Sequence, residues 1–237
     1  MKRILLLFAS VLLAAQAIPE VEITAEPSHH LILQNSYVRV FYVDAPAHAD
    51  TLMHWHRHDY VYVILGDAHV SNDVKGKPPV DVKLPDGATR FSPATFAHIA
   101  RNLSAQPFRN VTIEYLQDEE LRASSKETIA RMDETRGLDI LQGGTKEILF
   151  VNDGVRATEF ELQPGGVVPR HHHTGPHLLV AVTDLDIRSD VSGTGPMSGP
   201  MPGHFKSGDS KWLPGGYSHT ITNAGKQPAK FVTLEFP

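Results

Sequence analysis

The chain repeats itself, and this internal repeat limits the folds open to it more than any other feature. At a displacement of 117, as from His54 to His171, residues Asn35, Val38, Arg39 and His56 fall without a gap on Asn152, Val155, Arg156 and His173. Farther along the displacement is 121: His98 and Asn102 meet His219 and Asn223. Gln106, Pro107, Val111, Thr112 and Glu114 there meet Gln227, Pro228, Val232, Thr233 and Glu235. The displacement changes between 72–87 in the first half and the Gly/Pro/Met-rich 192–208 in the second, as expected of an insertion in a surface loop. The chain is therefore expected to form two related units, 22–117 and 143–237, each long enough to bury its own core.

Within each unit, short β-branched and aromatic runs alternate with Gly, Pro and Asp turns; 38–43, 60–65, 110–115, 178–182 and 231–236 are examples. Short strands at regular spacing, without a strong amphipathic helix, indicate an all-β sandwich or barrel in each unit. The joining segment, 118–142, is charged. Leu121, Ile129 and Met132 are its scattered apolar positions, which reads either as a short exposed helix over 117–136 or as a disordered spacer.

The N-terminus departs from this pattern. Lys2 and Arg3 precede an apolar run over 4–15 and the small-x-small site Ala15-Gln16-Ala17. This predicts a secretory signal peptide over 1–17, since the run is shorter than the roughly 20 residues of a membrane span. The expected location is periplasmic or extracellular, with no membrane attachment after cleavage. Cleavage removes two basic residues and no acidic one from a chain of net charge -5, which argues against a nucleic-acid partner. An exported chain with no cysteine has no disulfides, so any metal it binds must use nitrogen and oxygen ligands.

The histidines carry the chemistry. His171, His173 and His177 are spaced by even steps, and residues two apart in a strand share a face, so their imidazoles can converge while His172 points away. Thr174-Gly175-Pro176 breaks the strand, and a turn there would bring His177 in from the next one. His219 follows the turn Pro214-Gly215-Gly216. Neutral imidazoles in such a set suit a divalent transition metal (Fe, Mn, Ni, Cu or Zn) rather than Ca or Mg. His29, His30, His48, His69 and His204 lack partners at ligand spacing and are read as surface or packing residues.

These positions resemble the cupin superfamily. Its second motif, Gly-x5-Pro-x-Gly-x2-His-x3-Asn, is met at Gly208, Pro214, Gly216, His219 and Asn223. The first half repeats it at Gly87, Pro93, His98 and Asn102, with Thr95 where the family has Gly. The first motif, His-x-His followed by Glu and then Gly, is altered in both halves: His177 stands at the Glu position in the second and Tyr60 in the first, and Asp184 replaces the later Gly. The resemblance implies two tandem double-stranded β-helix (jelly-roll) barrels. It implies metal ligands His171, His173, His177 and His219 in the second barrel, and His54, His56 and His98 in the first. The fourth ligand of the first would be Tyr60, or Asp59 or His58 in its place, which makes the second set the more complete.

By the same resemblance, the expected function is that of a secreted, metal-dependent oxidoreductase of dioxygenase type, acting on a small anionic or hydroxylated organic molecule. An O2-independent isomerase, lyase or decarboxylase and a non-catalytic metal- or ligand-binding protein stand as alternatives, because no general base is evident in the sequence. Edge strands leave room for the two halves to pair as a pseudo-dimer, or for two chains to pair as a homodimer.

Overall fold

A computed structural model describes residues 19–117, 138–152, 154–192 and 199–237. The expected leader, and the expected linker helix beyond Gln117, lie outside the described residues. Among the described residues the fold is all-β, and the one helical element is a 3-10 turn at Ile23–Ala25. No helix there is long and apolar enough to cross a membrane.

The first half forms two five-stranded sheets. One has the order β2-β3-β10-β5-β8, from His29–Gln34, Val38–Ala45, Phe108–Tyr115, Tyr60–Leu65 and Thr89–Ser92. The other has the order β1-β4-β9-β6-β7, from Glu20–Glu22, Met53–His56, Phe96–Asn102, Ala68–Val74 and Val80–Leu84. The second half repeats both strand orders within one sheet. Strands β11 (Leu138–Asn152), β12 (Val155–His173), β18 (Ala229–Glu235), β13 (His177–Ala181) and β16 (Ser210–Leu213) follow the order of the first sheet. Strands β12, β17 (Tyr217–Asn223), β14 (Leu185–Ser192) and β15 (Gly199–Phe205) follow the second. The two arms are continuous because β12 runs through both, with a register shift between Val168 and His171 where the first half breaks into β3 and β4.

Residues 199–205, within the stretch expected to be a surface loop, form a strand. This strand, β15, is an edge strand on β14, as β7, within the counterpart stretch 72–87, is an edge strand on β6. An edge strand tolerates the alternate prolines Pro200 and Pro202, which cannot donate to a ladder, so the composition that suggested a loop is compatible with pairing on one side.

One core joins the halves. Val38, Val61, Val111 and Tyr115 cluster with Val155, Leu178, Val232 and Leu234, all fully buried, and each such side chain contributes about 1.5–3 kcal/mol on leaving water. The contact is reciprocal. A Cβ at Gly208 would lie 2.6 Å from the Tyr42 ring of the first half, and one at Gly87 would lie 2.5 Å from Lys230 of the second. Polar anchors repeat as well. Arg39 pairs with the buried Glu114, and Arg156 pairs with Glu235. Asn102 donates to the carbonyls of Pro46 and Gln106, and Asn223 to those of Leu162 and Gln227. These Asn amides tie the end of the histidine-bearing hairpin to its neighbours, which accounts for the Asn and the Gln in the repeat.

Candidate metal centres

Each centre is built from one cross-strand pair and one strand neighbour. On β4 the alternation of the pleat turns His54 and His56 inward, and both are buried, with Trp55 between them facing outward over Arg57. Strand β9 runs antiparallel to β4 with His98 directly opposite His54. In the second half β12 and β17 repeat this: His219 stands opposite His171, and His173 is two residues on. His172 points away as expected and meets Ser218 at the surface.

The ring nitrogens converge. Nε2 of His98 lies 3.1 Å from Nε2 of both His54 and His56, and Nε2 of His219 lies 3.0 Å from Nε2 of both His171 and His173. Nδ1 of His54 donates to the carbonyl of Leu52, and Nδ1 of His171 to that of Pro169, both at 2.8 Å. Each carbonyl can only accept, so in the neutral ring the opposing Nε2 carries a lone pair and no hydrogen. Nδ1 of His98 lies 2.6 Å from Oδ1 of Asn72, and Nδ1 of His219 lies 2.7 Å from Oγ of Ser189. These contacts orient the outer nitrogens and leave the inner ones facing one another. Such a set fits a cation: imidazole nitrogens bind Zn at about 2.0–2.1 Å, so two at right angles around an ion stand about 3 Å apart.

Burial keeps these rings neutral. It lowers the pKa of His54 to about 4, helped by the neighbouring His29, and with repulsion from the neighbouring rings, His54 and His29 among them, it holds His56 and His98 well below the usual histidine value. In the second centre burial lowers His171, brings His173 to about 2 and His219 to about 3, with the neighbouring rings adding to the effect for the last two. The metal-binding form of each ligand is thus the resting form.

The fourth positions differ from expectation. His177 does not join the three nitrogens: its ring stacks on His173 with centroids 3.8 Å apart, and its Nε2 lies 3.3 Å from the hydroxyl of Tyr217. Tyr60 does the same in the first half, stacked on His56 at 4.0 Å, and burial raises its phenol pKa, so it remains protonated. Asp59 is occupied elsewhere, its carboxylate accepting from the backbone N–H of Ala94 at 2.6 Å. His58 is also outside the group that gathers around His54. Each centre is therefore a triad, and the greater completeness of the second set, which rested on His177, does not appear in the geometry.

The residues that sequence reasoning set aside include His29. Its ring lies 4.7 Å from that of His54 and lines the cavity of the first centre, with Nδ1 2.6 Å from Oε2 of the buried Glu26. Burial would raise the Glu26 pKa, but the contact with His29 and the N–H of Leu52 bring it below the usual value. The repeat gave no signal, because Lys146 stands at the matching place; the spacing Glu26-x-x-His29 was the available one. His204 lies on β15, 3.2 Å from Asp186, away from both centres.

The two centres open on different spaces. The first faces a cavity of about 100 Å³ whose wall includes Val43, Val70, Val82, Leu84 and Phe108. The second faces a cleft of about 420 Å³ that carries Lys146, Arg156 and Arg170. Arg156 also holds Glu235, whose Oε1 lies 2.7 Å from Nδ1 of His173.

No family model matches the sequence, and no curated protein matches it. Among solved structures it is similar to oxalate decarboxylase from Bacillus subtilis. One structure, from a study of that enzyme's Mn(II) centres, gives a TM-score of 0.61 at 12% identity, over 90% of this chain and 76% of that one. A second, of the same enzyme at pH 4.6, gives 0.60 at 12% identity, over 84% and 68%. The likeness is one of fold: this chain has the cupin fold, with two His triads that could each hold a metal ion.

Proposed function

We propose that the protein is an exported bicupin, formed by duplication of one barrel, that uses metal bound at its histidine triads to act on a small organic acid or hydroxylated compound. The observation that carries this is the pair of convergent triads, in which the inner nitrogens face one another at 3.0–3.1 Å and the outer nitrogens of His54 and His171 donate to backbone carbonyls. A divalent transition ion there would supply Lewis acidity and, if redox-active, electrons, while three neutral ligands leave its charge intact for an anionic substrate. The protein's own residues supply orientation. Leu52, Asn72, Pro169 and Ser189 hold the ligand rings, and Tyr60 and His177 hold theirs by stacking.

The reaction proposed first is oxidation of the substrate by dioxygen. An O2-independent reaction such as decarboxylation is the second reading, favoured by the fold shared with oxalate decarboxylase and by the buried His29–Glu26 pair beside the first triad. Metal analysis of the chain from residue 18 onward, purified without affinity metal and reconstituted, tests the shared premise. Two ions are expected, with one lost in His98→Ala and the other in His219→Ala. Oxygen uptake and CO2 release by the metal-loaded protein, on a panel of small acids and phenols, then separate the two reactions. A protein that takes up no metal after reconstitution refutes both.

A further inference from the structure

Glu26 is a buried carboxylate with three donors: the N–H of Ser28 at 2.8 Å, the N–H of Leu52 at 3.1 Å, and Nδ1 of His29 at 2.6 Å. With Nδ1 so engaged, the His29 ring has Nε2 left to offer the cavity it lines, and its side chain is only 5% exposed. The ring is close to the triad without belonging to it. Its centroid is 4.7 Å from that of His54 but 6.5 Å from that of His56, and the nitrogens that gather within reach of one ion are those of His54, His56 and His98. A nitrogen held there is placed to meet what the centre binds rather than the ion.

The rest of the wall limits what can bind. A volume of about 100 Å³ is a third or less of the roughly 300 Å³ at which pockets begin to take drug-sized ligands. No Lys or Arg lines this cavity, and the buried Glu26 carboxylate behind His29 already balances one charge of a divalent ion, so a second negative charge on the ligand would be desolvated without a partner. The cleft of the second centre, where Lys146 and Arg156 pair with Asp139 and Glu235 and Arg170 adds a further cation, lacks that restriction.

We infer that the first centre selects a small monoanionic hydroxy acid, with the ligand hydroxyl hydrogen-bonded by Nε2 of His29 and the ring set in place by Glu26. This deepens the metal-centre reading and rests on it. His29 acts as a specificity-determining contact, and the small cavity, with no cation in its wall, excludes larger or doubly charged acids.

The test uses the chain from residue 18 onward with His219→Ala, so that only the first centre is intact, loaded with Co(II), whose absorption bands report ligand binding. Glycolate, acetate and oxalate are the probes. Glycolate is expected to bind about tenfold more tightly than acetate, the scale of one hydrogen bond, with oxalate weaker than glycolate. His29→Phe should remove that preference while Co(II) content stays the same, and Glu26→Gln should reduce it, which provides a second variant if the first folds poorly. Equal binding of glycolate and acetate, tighter oxalate binding, or loss of Co(II) in His29→Phe would each overturn the inference while leaving the metal centre standing. Failure of the His219→Ala parent to take up Co(II) would overturn the metal-centre reading of the first triad itself.

Discussion

Removal of metal should make the protein acid-labile in a pH range where most folded chains are stable. His54 and His177 have pKa values lowered to about 4, His219 to about 3 and His173 to about 2, burial being the main cause in each. In the unfolded chain the same rings titrate near 6.5. As pH falls below 6.5 the unfolded state takes up protons that the folded state refuses, so stability is fully present above 6.5 and is lost on the way down toward each folded pKa. Between pH 7.5 and pH 5.5 each ring forgoes about 1.3 kcal/mol, and the four together come to about 5 kcal/mol. That is comparable to the whole stability of many domains, about 5–15 kcal/mol, and at about 2–4 °C per kcal/mol it lowers Tm by about 10–20 °C. Metal opposes the loss because it occupies the nitrogens that protons would take. The assay is thermal unfolding by circular dichroism of chelator-treated and metal-loaded protein at pH 7.5, 6.5 and 5.5. A Tm of the metal-free protein that stays level from pH 7.5 to 5.5 would refute the reasoning, since it would mean that the rings accept protons in the folded state.

Two further outcomes follow from single positions. Thr95 has a φ of 75° at the turn where its counterpart Gly216 has 82°, and both donate a backbone N–H to the carbonyl of the inner His-x-His residue, His56 or His173. A β-branched residue is strained there, so Thr95→Gly should raise stability by about 1 kcal/mol, read as an increase in denaturation midpoint in urea; no gain would show that the turn bears no strain. His177→Phe preserves the stack on His173 but removes both nitrogens, and it should leave the metal content of a His98→Ala background unchanged; loss of that metal would make His177 a ligand after all.

Much of the fold was legible in the sequence because it rests on local, repeated chemistry. The strand pattern, the displacement between halves, and the motif ending in His98-x3-Asn102 and His219-x3-Asn223 correspond to matching strands and to matching hydrogen bonds of the two Asn side chains. Strand parity also placed His54 with His56 and His171 with His173, because alternation along a strand is a property of the backbone itself. The edge strand within 192–208 was less visible, since its Gly and Pro content resembles that of a loop and only its partner β14 shows that it pairs.

The sequence by itself determined that inward-facing histidines occur in duplicate, on strands whose neighbours carry a third. Only the tertiary structure decided which other groups stand beside them. His177 lies four residues beyond His173, yet the turn between them stacks its ring on His173 instead of aiming it at the centre. His29 is far from His54 in the chain, yet strand β2 brings it against the first triad, and Glu26 orients it there. Spacing along a strand sets the face on which a side chain lies, but the direction of a ring across a turn, and the approach of one strand to the site of another, follow from packing between segments distant in the chain.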